Sequence, residues 1–353
     1  MRETNLVAGT LEYAGQRGAS AVAGTVATQA VRSDVIARPR LLAIVGPTAT
    51  GKSELGLELA DRLGGELISC DSTAVYRGFD IGTDKVQMAL RRGIPHHLID
   101  VLDPTQCYSA ARYAREAALV IRAITASGGM PILVGGTGLY YRALTRGLFP
   151  GPGRNEALRA RLTQISRRRG VERLYRMVAR VDAASARRIQ PRDEKRLVRA
   201  LEVFFLTGRP LTEHFANTRS PLADYEVVPF GLRLSAADIA ARVARRVDRQ
   251  FDQGLLDEIR GLRAGGVPDD AHPFSGLVYR QALEHLQGVR DETATRELIV
   301  RENQRYARRQ LIWFRKEPNL QWVYTPGEHL DTVAFVERAL KARGGGSRGL
   351  DHS

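Results

Sequence analysis

The sequence predicts an α/β protein, a parallel-sheet core interrupted by a helical insertion. Three observations predict it. Short apolar runs alternate with helical stretches through the first part of the chain, the order a helix-covered parallel sheet requires. A G-x-x-x-x-G-K-S loop, the P-loop pattern shared with nucleotide- and ATP-binding proteins, joins the first apolar run to the first helical stretch. After the breaker cluster Pro150-Gly151-Pro152-Gly153 the chain turns helical and strongly basic.

Taken in order, residues 1–37 are rich in Ala, Gly and Thr without periodicity and are expected to form a flexible extension. Residues 41–45 are a short apolar run, read as a buried strand. Leu55, Leu59, Ala60 and Leu63 then mark one face of a helix. Further strands are expected at 67–69, 98–102 and 131–134, with a helix over Ala110–Ala126. Residues 154–207 read as wholly helical and 226–234 as a returning strand. Helices over 236–253 and 293–315, a strand over 321–324 and a loose tail from 344 complete the chain. The layout expected is an extension (1–37), a P-loop core (38–151), a basic helical insertion (152–222), a core completion (223–342) and a tail (343–353).

Composition bounds the function. With 353 residues, 43% hydrophobic, the chain can bury a large core, which excludes wholesale disorder. No apolar stretch reaches the roughly 18–20 residues a membrane helix needs. The first residues lack a basic start followed by an apolar block, so no secretory signal and a cytoplasmic location are expected. Two cysteines, Cys70 and Cys107, exclude a disulfide scaffold and a four-thiolate zinc site. Lys+Arg 53 against Asp+Glu 39 leaves +14, which favours polyanionic partners, nucleic acid above all. An arginine-rich composition would produce the same number without function, and charge leaves both readings open.

The loop Gly46-Pro47-Thr48-Ala49-Thr50-Gly51-Lys52-Ser53 has the right context for a diphosphate or triphosphate cradle. Its glycines let backbone N–H groups turn inward, the helix adds its positive end, Lys52 adds a mobile charge, and the Ser53 hydroxyl can ligate Mg²⁺. The second strand ends at Asp71-Ser72-Thr73-Ala74 and a later one at Gly136-Thr137. Carboxyl ends of parallel strands are where ligands sit, so Asp71 and Thr137 are candidates for catalysis, with turn or cap roles as the alternative. Arg242, Arg246 and Arg249 share a helix side beside Ile239, Val243 and Val247, suited to diphosphate oxygens or to a solvated face. In 193–207 a stripe of Leu197, Ala200, Leu201, Phe204 and Phe205 is expected inside, with Lys195, Arg196 and Arg199 outside as a phosphate-backbone surface together with Arg167–Arg169. Arg308, Arg309, Gln310 and Arg315 mix with Trp313 and Phe314, which are read either as nucleic-acid contacts or, for the aromatics, as core. Adjacent histidines His96-His97 read as structural, and Cys70 as a small strand residue.

GPTATGKS, ISCDSTAVYRGFDIGTDK, PHHLIDVLDPTQCYSAARYAREA and PILVGGTGLYYRAL, followed by RIQPRDEKRLVRALEVFFLTGRPLTE, SGLVYRQAL and YARRQLIWFRK, resemble the tRNA dimethylallyltransferases in family order, from about Leu41 to Lys316. The resemblance implies that the loop and Mg²⁺ hold dimethylallyl diphosphate, with Arg242 and Arg246 on its oxygens. It implies an acceptor at the exocyclic amine of the adenosine 3′ of a tRNA anticodon, with Asp71 as general base and Thr137 as a positioning or phosphate contact. Contacts to the tRNA anticodon stem-loop are implied at Asp71–Ala74, Lys195–Arg199, Ser275–Arg280 (with Tyr279 and Arg280) and Arg308–Arg315. A monomer is expected. Val278 stands where the family usually has glycine, Val86 where it often has proline, and no cysteine follows Cys107 to build the zinc finger of eukaryotic members.

The residue chemistry is compatible with this. An adenine amine is a poor nucleophile, but as its C–N bond forms the nitrogen becomes strongly acidic, so a carboxylate of ordinary pKa can take the proton. Prenylation of free adenine nucleotide, phosphoryl transfer by a small-molecule kinase, and nucleic-acid-stimulated triphosphate hydrolysis use the same loop and stay open at this point.

Overall fold

The computed structural model describes residues 38–149, 151–216 and 218–344; the expected N-terminal extension and nearly all of the expected tail lie outside them. The core elements are β1 (Arg40–Val45), α1 (Lys52–Leu63), β2 (Gly65–Cys70), β3 (His96–His97), α2 (Ala110–Ala126), β4 (Met130–Gly135) and α3 (Gly138–Thr145). Then come α4 (Glu156–Arg169), α5 (Val171–Val181), α6 (Ala183–Arg188), α7 (Glu194–Thr207) and α8 (Leu211–Phe215). The chain returns through β5 (Glu226–Leu232), α9 (Ala236–Asp252), α10 (Leu255–Ala264), α11 (Tyr279–Leu286), α12 (Glu292–Phe314), β6 (Gln321–Val323) and α13 (Leu330–Gly344).

Among the described residues, six strands pair in parallel in the order β3-β2-β4-β1-β5-β6. Central β1 is apolar from Leu41 to Val45 because both of its faces are covered there. Its side chains alternate between layers: Leu41, Ala43 and Val45 join the cluster with α2, α3, α9, α11 and α12, whereas Leu42 and Ile44 join the one with α1 and α13. This order sets the carboxyl ends of β1, β4 and β2 side by side, which brings the residue 46–53 loop, Thr137 and Asp71 to one edge.

Helices α4 to α8 hold a core of their own, around Leu162, Leu174, Val178, Leu197, Leu201 and Val203. The run expected to be wholly helical breaks at Gly170 (φ 78°), at Asp182 and between α6 and α7. Asp182 caps α6 through Ser185 N (2.8 Å) and also accepts from Thr212 N (3.0 Å), tying α8 to the break.

Two expectations are corrected. The strand expected at 98–102 is the two-residue β3 instead, because Leu98 (φ 59°) and Asp100 (φ 57°) leave extended geometry; Leu102 keeps one bridge, to Tyr76. The buried stripe of α7 also differs, with Phe205 52% exposed and Val198 and Val203 inside. The reason is Glu202, fully buried on α7, which accepts from Arg159 Nε and Nη2 (2.8 Å each), Arg199 Nη1 (2.6 Å) and Asn155 N (2.8 Å). Despite the cost of burial, these donors hold its pKa down at about 2.

Candidate active site

The 46–53 loop is shaped by three residues with positive φ: Gly46 (135°), Ala49 (62°) and Gly51 (83°). A side chain at Gly46 would meet the Leu232 carbonyl at 2.6 Å, so the loop packs directly on β5. Thr50 Oγ1 donates to Pro47 O (3.0 Å) and closes the turn. Lys52, which begins α1, also donates to the Pro47 carbonyl. Burial, and then the neighbouring Arg246, depress its pKa to about 8, while Asp71 pulls it upward. Such a lysine has an incomplete set of anionic partners.

Arg246 of α9 reaches this loop, with Nη1 donating to Thr48 Oγ1 (2.7 Å) and Nη2 to Thr83 O (3.1 Å). Arg242 lies on the same side of α9 but is paired with Glu328, whose other oxygen sits against Gly51. Arg249 pairs with Asp84 at 3.3 Å on an exposed surface.

Across the sheet edge, Asp71 Oδ1 accepts from Thr73 N (2.8 Å) and Ala74 N (3.3 Å), so the turn role is real. Its charge is nevertheless felt by Lys52, Tyr140 and Tyr306. Thr137 stands at the N-cap position of α3, yet its hydroxyl accepts from Ser72 N (3.1 Å) rather than capping the helix. Its own N–H donates to Cys70 O (3.0 Å). The Cys70 thiol is buried and pushed up to about 12, which fits a strand residue and not a nucleophile. A cavity of about 190 Å³ opens beside this turn, between Ser72 and Thr73 on one side and His272, Ser275 and Gly276 on the other. Two segments far apart in sequence thus form one pocket.

Several expected contact residues are placed differently. Gln310 was expected among nucleic-acid contacts, but it is buried on α12 and bridges Thr48 N (2.8 Å) to Gly136 O (2.9 Å). Tyr279 is fully buried, its hydroxyl accepting from Gly82 N (3.0 Å) and donating to Glu258 Oε1 (2.7 Å). Ala74 packs in the core. Arg199 turns inward to Glu202 and Pro152 O (3.0 Å), which leaves it only partly exposed. For Gln310, Tyr279 and Arg199 a partner inside the fold outcompetes solvent for the side chain. Lys195, Arg196, Arg280, Arg308, Arg309 and Arg315 do remain exposed. Of the aromatics, Phe314 is core, and Trp313 packs on Gly138 under the Arg142 guanidinium, 4.7 Å from its ring. His97 pairs with Glu66 (2.6 Å) and His96 with Ile94 O (2.8 Å), which are structural uses.

Val278 has φ 75° and ψ −65°, and Tyr279 N bonds back to Leu277 O at 2.9 Å. This is a γ-turn in a conformation rare for a β-branched residue. The backbone shape suited to glycine is thus kept with valine in place.

Sequence reasoning missed Tyr306, one helical turn before Gln310 on α12. Its hydroxyl lies beside Thr137, and burial, then Asp71, push its pKa up to about 12. The i, i+4 spacing to Gln310 was the available signal. Also missed was Lys85, nearly buried, which ties Tyr76 O (2.6 Å), Asp80 (2.7 Å) and Asp100 (2.5 Å) together and steadies the segment after Asp71.

A family model for IPP transferase (IPPT) matches residues 74–317. The chain is 42% identical over 299 residues to the tRNA dimethylallyltransferase of Geobacter sulfurreducens, covering 85% of this chain and 96% of that one. With the tRNA dimethylallyltransferase of Solibacter usitatus it shares 46% over 286 residues, 80% of this chain and 92% of the other. The crystal structure of the full-length tRNA isopentenylpyrophosphate transferase of Bacillus halodurans is similar at a TM-score of 0.65 and 35% identity, covering 87% of this chain and 97% of that one. Fold and site together define a parallel α/β enzyme with a glycine-lysine loop heading its first helix. The chain belongs to the tRNA dimethylallyltransferase family, a family of prenyltransferases.

Proposed function

We propose that this protein transfers a dimethylallyl group from dimethylallyl diphosphate to N6 of the adenosine 3′ of a tRNA anticodon, releasing diphosphate. One observation carries the reading. Gln310 bridges the 46–53 loop to Gly136, and Thr137 in turn accepts from Ser72 N next to Asp71, which supports a diphosphate on the loop and an acceptor in the pocket lined by Ser72 and Thr73. As the N6–C bond forms, the C–O bond to diphosphate breaks and the N6 proton passes to Asp71. Loop amides, Lys52 and Arg246 stabilise the charge that builds on the leaving group. Removing one such donor costs about 2.7–4 kcal/mol of transition-state stabilisation.

Among the described residues no cluster of His, Cys, Asp or Glu would hold a metal ion. Mg²⁺ suits this site nonetheless, since it is commonly held by a few protein oxygens, substrate phosphates and water. The half-buried Ser53 hydroxyl, in the first turn of α1, would be its protein ligand. When bound, Mg²⁺ adds positive charge at the diphosphate.

The exposed bases of the insertion and of α12 support an RNA acceptor over a free nucleotide, because a nucleotide needs no surface of that length. The target base must leave its stack, at a cost of a few kcal/mol that such contacts offset. The test is mass spectrometry of a tRNA anticodon fragment after incubation with dimethylallyl diphosphate, Mg²⁺ and protein. One added C5H8 unit on the adenosine is expected, with Asp71→Asn abolishing the gain while RNA binding persists. Modification of AMP alone, or phosphoryl transfer from ATP without a five-carbon adduct, would refute the proposal.

A further inference from the structure

Helix α12 faces two ways. Arg305, Arg308 and Arg309 are exposed along one side, while Tyr306, Ala307 and Gln310 turn inward. From that inner side the Gln310 amide spans the two halves of the site. Its Oε1 takes the N–H of Thr48 in the loop (2.8 Å), and its Nε2 donates to the carbonyl of Gly136, next to Thr137 (2.9 Å). The amide is used at both ends and is only 8% exposed with the rest of its side chain. The fit is tight, since a Cβ on Gly136 would lie 2.3 Å from Nε2. Thr48 is held twice, because its hydroxyl also accepts from Arg246 (2.7 Å).

We propose that Gln310 is a positioning residue that sets the phosphate loop against the acceptor-side turn, and does not itself contact RNA. The inference deepens the proposed function, on which its kinetic arm rests. Holding the Thr48 N–H inward leaves later loop amides to face the diphosphate. The Gly136 bond fixes how far that diphosphate stands from Thr137 and Asp71. A side chain with this job affects donor binding and the chemical step, whereas an RNA contact affects RNA affinity.

Gln310→Met keeps length and approximate volume but removes both hydrogen bonds. Gly136→Ala attacks the same bridge from its other end without altering Gln310. Calorimetry with inorganic pyrophosphate and Mg²⁺, needing no turnover, reads the loop. Steady-state prenyl transfer to an anticodon stem-loop reads kcat and KM. Loss of both bonds predicts pyrophosphate affinity and kcat lower by about tenfold, with KM for RNA unchanged. Each single variant should produce this, and the double variant should add little, as residues sharing one interaction do. A raised KM for RNA with normal pyrophosphate affinity would make Gln310 an RNA contact and overturn the proposal. So would additive losses in the double variant. If the wild type transfers no prenyl group, the functional reading fails, and the pyrophosphate measurements still decide the role of Gln310. Should Gln310→Met not fold, the Gly136→Ala measurements decide it alone.

Discussion

Replacing Lys52 with methionine tests the electrostatics of the loop most directly. The ammonium is held among Arg246, the loop backbone and apolar surroundings, and its pKa falls from the ordinary 10.5 to about 8. At about 1.4 kcal/mol per pH unit, that difference is about 3 kcal/mol against the charged form in the free protein. Part of the side chain reaches solvent, so this is a ceiling. The unfolded chain binds more protons between pH 8 and 10.5, so wild-type stability rises with pH across that window, and the penalty is fully present below pH 8. Lys52→Met removes the charge at the cost of one hydrogen bond to Pro47 O, worth about 1 kcal/mol. The variant should therefore be more stable than wild type at pH 7 by about 2 kcal/mol, and the advantage should vanish by pH 10.5. Urea unfolding at pH 7, 8.5 and 10.5, without ligand, measures it. Pyrophosphate binding to the wild type should also weaken by about tenfold per pH unit above pH 8, since the bound anion needs the ammonium. Parallel pH profiles for the two proteins would refute the reasoning, because titrations elsewhere are common to both.

Glu202→Gln leaves Arg159 and Arg199 without their buried carboxylate and should cost about 3–5 kcal/mol, read by urea unfolding at pH 7. The depressed Glu202 pKa means that its contribution is present above pH 4.5 and lost as pH falls towards 2, so the variant should lack that part of the wild-type acid limb. Glu328→Gln removes a carboxylate lying against Gly51 and frees Arg242. With about 1 kcal/mol of repulsion between screened charges, pyrophosphate affinity should rise about fivefold in calorimetry; a loss would mean that Glu328 orients Arg242 for the anion. Gly138→Ala would put a methyl group 2.3 Å from the Trp313 ring, and overpacking of about 1–3 kcal/mol should lower the thermal midpoint.

Much of this was legible in one dimension because the governing forces are local. The alternation of apolar runs and helical stripes predicted the parallel sheet, and the loop declared itself through glycines, lysine and serine at fixed spacing between β1 and α1. That Asp71 and Thr137 lie at one edge was readable because strand ends in a parallel sheet share it. Which polar side chains face inward was not readable. Arg199, Tyr279 and Gln310 look like surface residues in a basic sequence, but each is claimed by a partner remote in the chain: Pro152 for Arg199, Gly82 and Glu258 for Tyr279, Thr48 and Gly136 for Gln310. The strand lost at 98–102 and the exposed Phe205 have the same origin, since backbone turns and a buried carboxylate override apolar pattern. Sequence alone determined the class of fold and the family. Only tertiary structure decided which of the charged and polar residues serve the interior, because burial makes an unpaired polar group costly and its partner is chosen by the fold.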